Sequence, residues 1–121
     1  MMQQFSFEKL DVWKNAIKLS VDIYKLTENF PKSEFYVLST QLRRASISIS
    51  SNIAEGNYRN TIRDKSHFIT MAYSSLMEVL NQLIISKELK YIEEEELDVF
   101  REHISLIANQ LNKLKSYHNS K

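Results

Sequence analysis

RRASISISSNIAEGN, residues 43–57, alternates apolar and hydroxyl side chains from Ala45 to Ser51, the pattern of a half-buried strand. What surrounds it decides otherwise. Extended in both directions, the apolar positions Phe35, Leu38, Leu42, Ala45, Ile49 and Ile53 recur every three or four residues, and this longer helical period overrides the local alternation. The expected element is a helix with three unlike sides. Its inward side is that seam. The opposite side carries Tyr36, Thr40, Ile47, Ser51, Ala54 and Tyr58 where a solvated face would carry Lys and Glu. Between them runs a polar line of Arg44, Ser48, Ser51, Glu55 and Arg59, in which Glu55 and Arg59 are spaced as an i, i+4 ion pair. Asn52 borders the inward seam and is expected to be a buried, hydrogen-bonded structural residue.

The rest of the chain is equally helical in character. One glycine, Gly56, and one proline, Pro31, in 121 residues leave almost none of the punctuation that a many-turned β protein needs. Four helices are expected at about 7–28, 33–56, 62–87 and 93–117, in one domain covering 1–121. Ser33 is the expected N-cap of the second and Gly56-Asn57 its C-terminal stop. Thr61 with Asp64 opens the third, and the acidic run Glu93 to Glu96 suits the positive end of the fourth helix dipole. Helices this long with short connections assemble most simply as an all-α, antiparallel up-and-down four-helix bundle. The third is broadly apolar, with Phe68, Ile69, Ala72, Leu76, Val79, Leu80 and Leu83, and the fourth has one seam, Leu97, Phe100, Ile104, Ile107, Leu111 and Leu114. The first has two adjoining seams, one of Val12, Ala16, Leu19, Ile23 and Leu26, the other of Leu10, Trp13, Ile17 and Tyr24. Together they cover an arc of about 200°, roughly twice what a one-sided surface helix needs, so this helix is either deeply embedded or touches another subunit.

Several classes are disfavoured at once. No cysteine is present, so no disulfide framework or thiolate chemistry is available. The start, MMQQFSFEKLDVW, lacks the features of a signal peptide, and no apolar stretch approaches the roughly 18 residues that span a bilayer; a soluble, cytoplasmic protein with no membrane partner is expected. A net charge of +1 gives no global argument for a polyanion. Arg43, Arg44, Arg59, Arg63 and Lys65 nevertheless outnumber Glu55 and Asp64 in one region, while Glu88 to Glu102 is acidic.

Leu10-Asp11-Val12-Trp13 with Ala16, Ile23-Tyr24-Lys25-Leu26-Thr27, Phe30-Pro31, Gln41-Leu42-Arg43-Arg44-Ala45, Ser48-Ile49, Ser51-Asn52-Ile53-Ala54-Glu55-Gly56, Arg59, Phe68, Ala72, Ser75-Leu76 and Glu78 together resemble a known family. It is the four-helix-bundle family whose members include proteins encoded in intervening sequences of bacterial large-subunit ribosomal RNA genes. The resemblance covers about residues 5 to 110, and QLRRA followed by SNIAEG is its most specific part. It implies an up-and-down bundle that assembles into a ring, in known cases a homopentamer. The family is also similar to accessory variability proteins of diversity-generating retroelements, basic rings that work with a reverse transcriptase and nucleic acid. Three positions depart from the family pattern: Ser50 stands where proline is frequent, Ser74 where glycine is usual and Tyr73 where a basic residue is frequent. The last removes positive charge and weakens a nucleic-acid reading.

No catalytic residue, metal site, cofactor or small-molecule substrate emerges. A di-iron bundle needs paired Glu-x-x-His motifs, and only His67 has an acid, Asp64, three residues before it. Ser46, Ser48, Ser50 and Ser51 lack a lysine three residues on and a strained elbow, and read as spacers for close helix packing. Arg63 and His67, four apart on one face, leave a metal-independent ribonuclease as a minor alternative. The expectation is a non-enzymatic homo-oligomer with a structural or adaptor role. Its interface would be Tyr36, Ile47, Ser51, Ala54 and Tyr58. The alternative is an RNA- or DNA-binding accessory protein using Arg43, Arg44, Arg59, Arg63 and Lys65.

Overall fold

The computed structural model describes residues 2–120. Four helices make the fold: α1 (Asp11–Thr27), α2 (Thr40–Asn57), α3 (Ile62–Glu88) and α4 (Glu94–Asn119). A 3₁₀ turn, Ser6–Lys9, precedes α1, and a second, Lys32–Glu34, runs into a π-helical turn, Phe35–Ser39, ahead of α2. No strand occurs among the described residues. Short connections at 58–61 and 89–93, and the two tight turns between α1 and α2, make successive helices run antiparallel, and α1 on α2, α2 on α3, α3 on α4 and α4 on α1 close the bundle. The seams read from the sequence meet in its interior: Leu19 and Ile23 of α1, Leu42 and Ile49 of α2, Leu76, Val79 and Leu83 of α3, and Leu97, Ile107 and Leu111 of α4 are removed from water. Burial of each contributes about 1.5–3 kcal/mol against the entropy of ordering the chain.

The caps explain where the helices stop. Thr61 Oγ1 accepts the Asp64 N–H at 3.1 Å and opens α3, as its sequence spacing indicates. At the other end of α3, Lys90 adopts φ 66°. Its N–H donates to the Lys87 carbonyl and that of Tyr91 to the Ser86 carbonyl, both at 2.9 Å, the paired bonds of a left-handed helix stop. Glu93 caps α4 and its N–H donates to Glu96 Oε1 at 3.0 Å.

Five expectations are corrected. The first helix starts at Asp11 rather than near Phe7, because Leu10 is extended (ψ 127°). The preceding turn folds over the end of the bundle, where Phe7 packs on Trp13 at 5.2 Å and on Tyr58 at 6.1 Å. The second helix has no Ser33 cap; Pro31 leads into the 3₁₀ turn, and the π turn follows. A π turn holds more residues than an α turn and rotates everything before it about the helix axis. Phe35, assigned to the inward seam, is therefore 51 % exposed while Leu38 and Leu42 stay buried. The second helix does end at Gly56-Asn57, but Gly56 is not its left-handed stop: it lies inside the last turn of α2, has no positive φ and is buried. A Cβ added there would stand 2.7 Å from Phe68 Cβ, so glycine is present to let α3 come close. Finally, α3 does contain an 18-residue window, of mean hydropathy 1.3, long and apolar enough to cross a membrane by length and composition. In the bundle its Ile69, Ala72, Leu76, Val79 and Leu83 are spent on the core.

Candidate functional site

The RRASISISSNIAEGN segment lies entirely in α2 and shows its three sides. Ala45, Ile49 and Ile53 enter the core. Three of its four serines are occupied: Ser46 Oγ donates to the Arg43 carbonyl at 2.9 Å, and Ser50 Oγ to the Ile47 carbonyl at 3.2 Å. Ser48 Oγ meets Ser75 Oγ of α3 at 2.9 Å. Asn52, 8 % exposed, donates to the Ser48 carbonyl at 2.9 Å and to Ser48 Oγ at 3.1 Å. Asn52, Ser48 and Ser75 thus form a short polar chain across the α2–α3 contact, which fixes the register of two close-packed helices. The hydroxyls act as small, self-satisfying spacers.

The basic residues do not form one patch. Arg43 is drawn back onto α1: Nε donates to Thr27 Oγ1 at 2.9 Å and the guanidinium lies 4.5 Å from the centre of the Tyr24 ring. Lys65 Nζ donates to the Asn57 carbonyl at 2.9 Å, satisfying the end of α2. Arg59 stacks over Phe68 at 4.5 Å, and the ion pair with Glu55 expected from spacing is absent among the described residues. Arg44 and Arg63 are exposed. Arg44 and Arg59 are separated by roughly 20 Å along the helix direction, so the sequence cluster is two sparse groups at opposite ends of α2. His67 is also exposed, its ring edge-on to Phe68 at 5.9 Å. No three His, Asp or Glu side chains stand together as a metal set among the described residues.

The uncharged side of α2 faces outward. Ile47 is 43 % exposed, Ser51 is exposed and Ala54 half-buried. On α1, Ile17, Val21 and Tyr24 are exposed as well. The Arg43–Tyr24 stack sets the register between the two helices; running antiparallel from it, Val21 and Ile17 climb alongside Ile47 and Ser51. The wide apolar arc of α1 is thus divided between the core and a surface shared with α2. Tyr58 has a different neighbourhood: its hydroxyl accepts the Ser6 N–H at 3.1 Å and its ring meets Phe5 and Phe7 edge-on. Tyr36 stands apart at the π turn, 87 % exposed.

One titratable group has a perturbed environment that the spacing of the sequence did not reveal. His103 lies in a groove between α1 and α4, beside Lys18, Asp22, Val99 and Leu106. Its Nε2 is buried without a hydrogen-bond partner among the described residues. Burial, followed by the Lys18 charge, lowers its pKa from the usual 6.5, with Asp22 opposing. A base whose pKa falls on folding binds its proton more readily when unfolded, so its contribution to stability is complete above the unfolded value and is lost as pH drops below it. Urea unfolding midpoints should therefore fall between about pH 7.5 and pH 5.5, with a shallower decline in His103→Gln. Equal slopes in the two proteins would contradict this.

These features define a class: a small antiparallel helical bundle in which the hydroxyls of α2 serve packing and the outer side of α2 from Ile47 to Ala54 is uncharged. The family model described as 23S rRNA-intervening sequence protein matches residues 8–113, and the chain belongs to that family. Among solved structures, a protein of unknown function from the S23 ribosomal protein family of Bacteroides thetaiotaomicron superposes with a TM-score of 0.80 at 21 % identity, covering 87 % of this chain and 95 % of that one. That likeness is one of fold. No curated protein matches the chain.

Proposed function

We propose that this chain is a non-enzymatic bundle that associates with copies of itself and serves as a structural or adaptor protein. The observation that carries the proposal is the shared outer surface of α1 and α2, where Ile17, Val21, Tyr24 and Ile47 are exposed together without an intervening charged side chain on the α2 side between Ile47 and Ala54. Apolar side chains left exposed on neighbouring helices, where a solvated face would carry Lys and Glu, favour an interaction surface. A closed ring needs two unlike faces that meet head to tail. Val99 and Leu106, exposed on α4 at the groove with α1, supply a second apolar surface, bordered by the Lys18–Asp22 pair.

RNA binding is the second reading, favoured by the exposed, unpaired Arg44 and Arg63 and by the family's description. It ranks behind because Lys65 is spent within the chain, Arg43 is folded back onto Thr27 and the Tyr24 ring, and the remaining arginines are far apart.

Light scattering at micromolar concentration should give a mass several times that of the 14.3 kDa chain. Ile47→Glu should shift it to the monomer while circular dichroism remains helical, since burying an unpaired carboxylate at an interface is strongly unfavourable. A monomeric wild-type chain would remove the proposal.

A further inference from the structure

Where α1 hands over to α2, the chain encloses an open cavity of about 490 Å³ lined by Thr27, Phe30, Pro31, Phe35, Tyr36, Ser39 and Arg43, with Glu28 and Lys32 also at its wall. Three features make it more than a crevice. Phe35 and Tyr36 meet edge-on, 4.9 Å between ring centres, and form a right-angled aromatic corner held toward water by the π turn, although both rings would be better buried. Ser39 lines the cavity, and its hydroxyl makes no hydrogen bond within the chain among the described residues, so it is free to bond a group that enters. Arg43 spends Nε on Thr27 and makes only a 3.5 Å contact from Nη2 to the Tyr24 carbonyl, so its terminal nitrogens keep donors for a planar anion.

We propose that this cavity binds a small aromatic monocarboxylate, with the carboxylate on Arg43 and Ser39 and the ring in the corner of Phe35 and Tyr36. The volume suits a ligand of this size. Glu28 and Lys32 offset each other, which leaves one net positive charge, that of Arg43, and disfavours a dianion such as a phosphate monoester. The site adjoins the α1–α2 assembly surface only at Tyr24, on which Arg43 stacks, and Ile17→Glu, about two helical turns away on α1, alters that surface and leaves the site intact.

Isothermal titration with indole-3-acetate and, separately, adenosine 5′-monophosphate tests this on the full chain. Saturable binding of indole-3-acetate is expected. It should weaken about tenfold or more in Arg43→Gln, the share of a charge-assisted hydrogen bond, and several-fold in Ser39→Ala. Tyr36→Ala, at a fully accessible ring whose loss leaves the fold undisturbed, should weaken it too. No saturable binding at millimolar ligand, equal or tighter binding of the monophosphate, or affinity unchanged in both Tyr36→Ala and Ser39→Ala would overturn the assignment.

Discussion

Gly56→Ala is expected to lower the stability of the bundle by about 1–2 kcal/mol, against the ordinary helix preference, under which alanine gains about 1 kcal/mol over glycine. The reason is the contact with α3. The added methyl would stand 2.7 Å from Phe68 Cβ, an atom fixed to the backbone that no side-chain rotation can move. Relief requires α2 and α3 to separate. That would stretch the 2.9 Å Ser48–Ser75 bond and draw Arg59 off the Phe68 ring. Overpacking of a tight contact typically costs about 1–3 kcal/mol, more than alanine returns when the gap cannot open freely. Thermal unfolding should show Tm lower by about 4–8 °C, and Gly56→Val should be worse. A variant as stable as the parent would mean that the two helices slide apart without penalty, and the close-packing account of the serines in α2 would fall with it.

Leu76→Ala should have the largest effect of any single truncation, about 3–5 kcal/mol. Leu76 is fully buried on α3, the helix that packs on both α2 and α4, so the cavity left behind is walled by three helices and cannot collapse without disturbing two contacts. Met71→Ala on the exposed side of the same helix removes a side chain of similar size and should stay within about 0.5 kcal/mol. Denaturant unfolding of both variants at one protein concentration checks the pair, because an oligomer's apparent stability depends on concentration. A Leu76 loss no larger than the Met71 loss would place the core elsewhere.

Much of this architecture was legible before any coordinates. Seams of three and four residues in α2, α3 and α4 predict which residues are buried, and Leu38, Leu42, Ile49 and Ile53, Leu76 and Val79, Ile104 and Leu111 are all in the core. Asn52 was expected to be buried and bonded on account of its place beside the seam, and it is. Periodicity succeeds here because helical geometry is regular and local. It fails where the helix is irregular: Phe35 was misplaced because the π turn, held by the Tyr91 hydroxyl donating to Glu34 Oε2 at 2.7 Å and by Thr40 Oγ1 donating to the Phe35 carbonyl, breaks the 100° step. The run Phe35-Tyr36-Val37, three bulky apolar residues in succession, was the one signal of that irregularity, since consecutive positions cannot all face inward.

Charge was the least legible property. Arg43, Arg44, Arg59, Arg63 and Lys65 look like a group because they are near in sequence, yet a long helix places them at separate ends, Arg43 is tethered to Thr27 through Nε, and Lys65 is bound to the Asn57 carbonyl. Glu55 and Arg59 have the spacing of an ion pair but sit where α2 is ending, and Phe68 of the neighbouring helix offers the guanidinium an aromatic face instead.

The one-dimensional pattern was sufficient for the four helices, their antiparallel order and their inward faces, because each depends only on side chains a turn apart and on short connections. Tertiary contact alone decided that Gly56 is a point of helix approach rather than a stop, that Arg43 belongs to α1 as much as to α2, and that Phe35, Ser39 and Arg43 share a cavity. Those outcomes depend on which surface of one helix meets which surface of another, and that choice is made by packing between residues distant in the chain.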